Sequence, residues 1–160
     1  MNGGGTMFAV NEILEMAVKV EENGEKFYKF LSENSREPEK REFFNYMALQ
    51  ERDHAKTFKE IGTTLQVEEV DYVDVDEVDA YLKSYVDGKI FPTVEEMLEK
   101  VKGKDIIDVI DYAIGLEKDS IIFYYQIMEI IKSENAKKLV KAIIEQEKQH
   151  VLKLLEIKGV

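Results

Sequence analysis

Apolar residues recur at three- and four-residue intervals in four stretches of the chain, the spacing that gives a helix one apolar face. The pattern predicts a first helix from about Val10 to Glu33, striped by Leu14, Ala17, Val18, Glu21, Tyr28 and Leu31, and a second from about Pro38 to Leu65, striped by Phe44, Met47, Glu51, His54, Phe58 and Ile61. A third, from about Asp105 to Lys132, carries Ile110, Ala113, Ile114, Glu117, Tyr124 and Ile127. The fourth, from about Ala136 to Ile157, carries Val140, Ile143, Ile144, Glu147, His150 and Leu154. Six ionisable residues therefore lie on faces that should point inward.

Ser32 to Glu37 joins the first two predicted helices and Ser133 to Asn135 the last two, so each pair reads as an antiparallel hairpin, with Pro38 suited to a first helical turn. Roughly forty residues separate Leu65 from Asp105, which is the length of crossover needed to lay two hairpins side by side in an up-down-down-up bundle. Within that crossover Val78, Tyr81, Leu82 and Tyr85 repeat at helical spacing. Thr93-Val-Glu-Glu96 has the form of a capping box opening a short helix through Val101, and the acidic run Glu68 to Asp79 reads as solvated. The predicted fold class is all-α: a four-helix bundle of two hairpins with a long crossover containing short helices. The glycine-rich start, Met1-Asn-Gly-Gly-Gly-Thr, cannot order itself, so residues 1–7 are expected to be disordered and 8–160 to form the one domain.

The two hairpins are copies of each other. Glu147 and His150 stand 96 positions after Glu51 and His54, and the same offset relates Glu117 to Glu21 and Phe123-Tyr124 to Phe27-Tyr28. One Glu-x-x-His pair is common on helix surfaces, where residues three apart are neighbours. Two pairs with matched flanks on apolar faces are not. Four carboxylates meeting in an apolar seam would each carry a desolvation cost of several kcal/mol and would repel one another. Two divalent cations, bringing +4 against −4, remove that objection, and carboxylate oxygens with imidazole nitrogens suit iron, manganese or zinc. No catalytic residue is expected beyond the ligands themselves.

Composition narrows the remaining choices. The chain has 160 residues and no cysteine, which excludes disulfides, iron–sulfur clusters and a built-in thiolate iron centre. Its 33 acidic against 22 basic residues give a net charge of −11, so neither nucleic acid nor an anionic membrane is an expected partner. No signal-peptide pattern or apolar run of about 20 residues appears, and a cytoplasmic location is the default.

The residues Glu21-x-x-Gly24-x-x-Phe27-Tyr28 with Glu51-x-x-His54, then Glu117-x-x-Ser120-x-x-Phe123-Tyr124 with Glu147-x-x-His150, resemble the rubrerythrin branch of the ferritin-like di-iron superfamily. The resemblance runs over about residues 8 to 157. It implies a two-iron centre in which Glu51 and Glu147 bridge, Glu21 and Glu117 are terminal, and His54 and His150 each give one nitrogen. It also implies reduction of hydrogen peroxide or dioxygen, with electrons from an external donor such as a rubredoxin-type protein, and a homodimer. Two departures stand out: Ser120 occupies the place of an additional family glutamate, and no cysteine-ligated rubredoxin domain is present. Tyr28 and Tyr124 are either core aromatics whose hydroxyls need partners or groups that orient ligand carboxylates. An iron-handling protein without turnover, or with ferroxidase activity alone, fits the same ligands, while a purely structural helical module leaves two intact ligand sets unexplained.

Overall fold

The computed structural model describes residues 7–67, 72–74, 84 and 91–159. Helix α1 spans Val10–Asn34, α2 Pro38–Val67, α3 Val94–Val101, α4 Ile106–Ile130 and α5 Glu134–Lys158. The expected repeat at Val78, Tyr81, Leu82 and Tyr85 lies outside the described residues, as does the expected disorder of residues 1–6. Met7 does not fit that expectation of disorder: strand β1, Met7–Ala9, pairs antiparallel with β2, Tyr72–Asp74, so part of the acidic run is also in a ribbon. Three-residue strands are too short to leave an alternation that a sequence reading can separate from loop.

Local chemistry sets the helix boundaries. Asp105 caps α4 by accepting from the Asp108 amide at 2.9 Å, and Ser133 caps α5 by accepting from Ala136 at 3.2 Å. Both helices therefore begin at the residue after their cap, and α5 starts two residues earlier than its apolar stripe indicates. Thr93 caps α3 from the Glu96 amide at 3.2 Å. The Glu96 carboxylate here receives the Thr93 hydroxyl at 3.2 Å. Gly159, at φ 90°, closes α5 in the left-handed conformation that favours glycine.

Cross-helix contacts give the directions. Along α2 from Arg52 to Lys59 the partner on α1 runs back from Glu25 to Glu22, and along α4 from Glu117 to Tyr124 the partner on α1 runs back from Tyr28 to Glu21. Helices α2 and α4 are thus both opposed to α1, and α5 is opposed to α2 through His54–Glu147 and His150–Glu51. The bundle is up-down-down-up. The exposed ion pairs that mark these directions contribute at most about 1 kcal/mol each. Burial of the apolar stripes stabilises the bundle more, at about 1.5–3 kcal/mol for each fully buried aliphatic or aromatic side chain.

The core falls into two clusters. One gathers Ile13 and Leu14 of α1, Phe58 of α2, Phe123 of α4 and Ile144 of α5; the other gathers Phe27 of α1, Phe44 of α2, Ile110 of α4 and Leu154 of α5, with α3 adding Met97. Along every long helix the ionisable stripe residues sit between the two, so a polar layer is plugged by apolar packing on both sides. No helix among the described residues is long and apolar enough to cross a membrane.

Candidate metal centre

All six residues singled out from the repeat are buried: Glu21, Glu51, His54, Glu117 and Glu147 at 5% exposure or less, with His150 at 1%. They converge in two overlapping groups. Glu21, Glu51, His54 and Glu147 each present one ligand atom within 4.8 Å of the others, and so do Glu51, Glu117, Glu147 and His150. Glu51 and Glu147 belong to both groups, while Glu21 with His54 and Glu117 with His150 mark the two ends. The duplication produces this directly, because α2 and α5 run antiparallel and bring each Glu-x-x-His against the other. A histidine therefore faces the glutamate of the opposite hairpin: His54 Nδ1 is 2.7 Å from Glu147 Oε1, and His150 Nδ1 is 3.4 Å from Glu51 Oε1. The imidazole rings stack with centroids 5.5 Å apart.

Whether this layer suits cations is decided by its unmet polar atoms. Glu21 Oε2, Glu51 Oε1, Glu147 Oε2 and both ring nitrogens of His150 are buried without a hydrogen-bond partner, and among the described residues Gln126 Oε1 is the one such side-chain atom outside the six. Buried polar groups are ordinarily hydrogen-bonded, and each lapse costs about 1–3 kcal/mol, more for a charge. Five lapses at one spot, all on oxygen or imidazole nitrogen, are the pattern of a donor set directed at metal. The residues fit two first-row divalent ions.

Without metal the layer binds protons. Burial first, then the charge of Glu147, raises the Glu21 carboxyl from 4.5 to about 7. Burial together with Glu117 pushes both Glu51 and Glu147 upward. Burial alone would lower the histidines, but the hydrogen bond to Glu147 and the nearby Glu21 carboxylate carry His54 up to about 12, and contacts with Glu117, Glu147 and Glu51 raise His150 as well. Glu117 is the exception: burial opposes its ionisation, yet the close approach of Glu147 and His150 and the hydrogen bond from Tyr28 hold its carboxyl well below the usual range.

The Tyr28 and Tyr124 hydroxyls find their partners across the bundle. Tyr28 donates to Glu117 Oε1 at 2.7 Å and Tyr124 to Glu21 Oε1 at 2.5 Å, each tyrosine of one hairpin holding the end glutamate of the other. Burial and these carboxylates raise both phenols, so they remain donors.

The repeat contained two signals that reading by ionisable type passes over. Gln146 Oε1 lies 2.6 Å from His54 Nε2, and Gln50 occupies the matching place one residue before Glu51. Gly24, the mate of Ser120, leaves room for Glu51: a Cβ there would stand 3.3 Å from Glu51 Oε2. Ser120 turns its hydroxyl back to Leu116 O at 3.0 Å.

A family model described as rubrerythrin matches residues 12–158. A Thermotoga maritima chain, assigned as a ferritin-like diiron-carboxylate protein, has a TM-score of 0.76 and 37% identity, with 94% of this chain and 95% of that one covered. A hypothetical protein from Pyrococcus furiosus shares the fold, at a TM-score of 0.67 and 22% identity over 94% of this chain and 89% of its own. No curated protein matches the chain.

Proposed function

This chain belongs to the rubrerythrin family, and from that premise we propose that it is a di-iron oxidoreductase that reduces hydrogen peroxide, or dioxygen, with electrons from a separate protein. The observation that carries the reading is the pair of buried ligand groups sharing Glu51 and Glu147, with five of their atoms otherwise unsatisfied. In this reading Glu51 and Glu147 would help to hold both ions, Glu21 and His54 would complete one end, and Glu117 and His150 would complete the other. When bound, two ferrous ions supply the two electrons that, with two protons, convert hydrogen peroxide to two waters.

The protein's own groups do the remaining work. Four carboxylates balance two divalent cations, so loading needs no further counterion in a seam that excludes water. The Tyr28 and Tyr124 hydroxyls hold one oxygen of each end carboxylate, which leaves the other oxygen directed inward. The apolar clusters on both sides keep solvent from the layer and preserve the strength of its electrostatic interactions. With no cysteine in the chain, reduction after turnover falls to an external donor, for which a rubredoxin-type protein has suitable chemistry.

Rapid mixing of the di-ferrous protein with one equivalent of peroxide tests the reading. Ferric absorbance should develop at least about tenfold faster than in a Glu51→Ala, Glu147→Ala double variant, and continued turnover should require added donor and reductase. Equal rates in the two proteins would replace the peroxidase reading with iron binding alone.

A further inference from the structure

The ring nitrogens of His54 face two different environments. Nδ1 points at carboxylates, 2.7 Å from Glu147 Oε1 and 3.7 Å from Glu21 Oε1, whereas Nε2 is 2.6 Å from Gln146 Oε1. An amide oxygen can only accept, so this contact holds a hydrogen on Nε2; the carboxylates take the Nδ1 hydrogen in the metal-free layer, and when a cation displaces it the neutral ring is left with its lone pair on Nδ1. The reversed amide would donate to Nε2 and put the hydrogen on Nδ1, where no cation could use that nitrogen. Gln146 is itself largely exposed, so the side chain adds little to core packing.

The duplication repeats this device. Gln50 precedes Glu51 as Gln146 precedes Glu147, and the antiparallel pairing of α2 with α5 relates Gln50 to His150 as it relates Gln146 to His54. His150 Nε2 is buried and has no hydrogen-bond partner, so it requires an acceptor of the kind that Gln50 carries. A neutral amide is also the right charge type. Four glutamates already balance two divalent ions, and a carboxylate at either place would leave the loaded layer with surplus negative charge.

We propose that Gln146 and Gln50 are a matched pair of positioning residues, each holding the Nε2 hydrogen of the histidine on the opposite hairpin so that Nδ1 is presented to the metal. Gln146 is already in place, and Gln50 engages when the site is loaded. The inference rests on the reading of these six residues as metal ligands, and it adds which tautomer each histidine holds and what fixes it.

Zinc, being diamagnetic, allows both affinity and tautomer to be read. Competition against a chromophoric chelator should show Gln146→Leu and Gln50→Leu each binding Zn(II) about 10–100-fold more weakly than the unaltered protein. Gln146→Glu, which keeps an acceptor oxygen but adds a charge, should bind Zn(II) more tightly than Gln146→Leu. Nitrogen-15 spectra of the zinc-loaded protein should show the hydrogen of both histidines on Nε2, with the His54 signal lost to exchange in Gln146→Leu. Unaltered affinity in both leucine variants, or hydrogen on Nδ1 in the parent protein, would overturn the inference while leaving the metal centre intact. Failure of the parent protein to bind zinc or iron would instead remove the metal centre and, with it, this inference.

Discussion

In the first hairpin the histidine, His54, has an oxygen acceptor against each ring nitrogen; in the second, His150 has neither nitrogen in a hydrogen bond. The end glutamates also part company, Glu21 raised to about 7 and Glu117 held well below the usual carboxylate range. Outside the layer the divergence is larger. Exposed Lys26 and Lys56 answer to Ile122 and Leu152, which are 42% and 57% exposed. What both halves retain is the set of residues whose removal would leave a buried charge unbalanced: two glutamates, a histidine and a tyrosine in each. The duplication has kept the positions that cations would need, while the surface, where substitutions usually cost within about 0.5 kcal/mol, has drifted.

Removing the metal should give the largest effect, because it exposes the repulsion that both halves share. Ions that bind only the folded protein stabilise it by about 2.7 kcal/mol per site at a hundredfold excess over Kd, so chelation should lower Tm by about 10–20 °C in calorimetry. This loss should grow with pH. Carboxyls raised in the folded state, as at Glu21, Glu51 and Glu147, stabilise the metal-free fold fully below 4.5, and that contribution is lost as pH rises through their folded values. His54, raised from 6.5 to about 12, contributes fully below 6.5 and loses its contribution above that. Glu117 acts in the opposite sense, but only below 4.5. Between pH 5 and 8 the metal-free protein should therefore weaken while cations hold the loaded carboxylates ionised. A gap between the two forms that is constant over this range would contradict the proton-holding layer.

The tyrosines offer a sharper comparison of the halves. A histidine stays near each end glutamate after loss of its tyrosine, His54 at 3.7 Å from Glu21 and His150 at 3.6 Å from Glu117, but Glu21 also has Oε2 buried without a partner, so Tyr124→Phe strips the one hydrogen bond its carboxylate has. Each substitution should cost about 1–3 kcal/mol in metal-free protein, with Tyr124→Phe the more damaging in urea denaturation. The reverse order would show that the shared frame, and not the unequal surroundings, governs the end carboxylates.

Much of this architecture was legible in the chain because the same 96-residue offset repeated both the apolar stripes and the ionisable residues within them. Helix existence followed from periodicity, and each long-helix boundary fell within two residues of the observed one because Pro38, Asp105 and Ser133 flank the stripes. The β1–β2 ribbon was not legible, since three residues of extended chain bury no periodic face. Partner choice was only half legible. Tyr28 and Tyr124 were placed on the ligand faces, but sequence spacing within one helix could not show that each reaches the opposite hairpin. Gln146 lay in the repeat throughout, yet a glutamine next to a glutamate carries no distinctive signal until a histidine nitrogen is seen beside it.

The smallest effects should come from Gly24 and Ser120. Gly24→Ala gains about 1 kcal/mol of helix propensity but sets a methyl 3.3 Å from Glu51 Oε2. A free carboxylate can yield by a few tenths of an ångström, so metal-free stability should change by less than about 1 kcal/mol, while a carboxylate held by ions cannot yield and metal affinity should fall severalfold. Ser120→Ala removes only a bond back to Leu116 O and should alter neither quantity by more than about 0.5 kcal/mol. Chelator competition on the two variants separates these outcomes.

In the proposed centre two ions would hold Glu51 and Glu147 in common. A crystal of iron-loaded protein, measured at the iron absorption edge, tests it most directly. Two anomalous peaks about 3.5–4 Å apart, both within coordination distance of Glu51 and Glu147, with His54 at one and His150 at the other, are the predicted result. A single peak, or two that share neither glutamate, would contradict it.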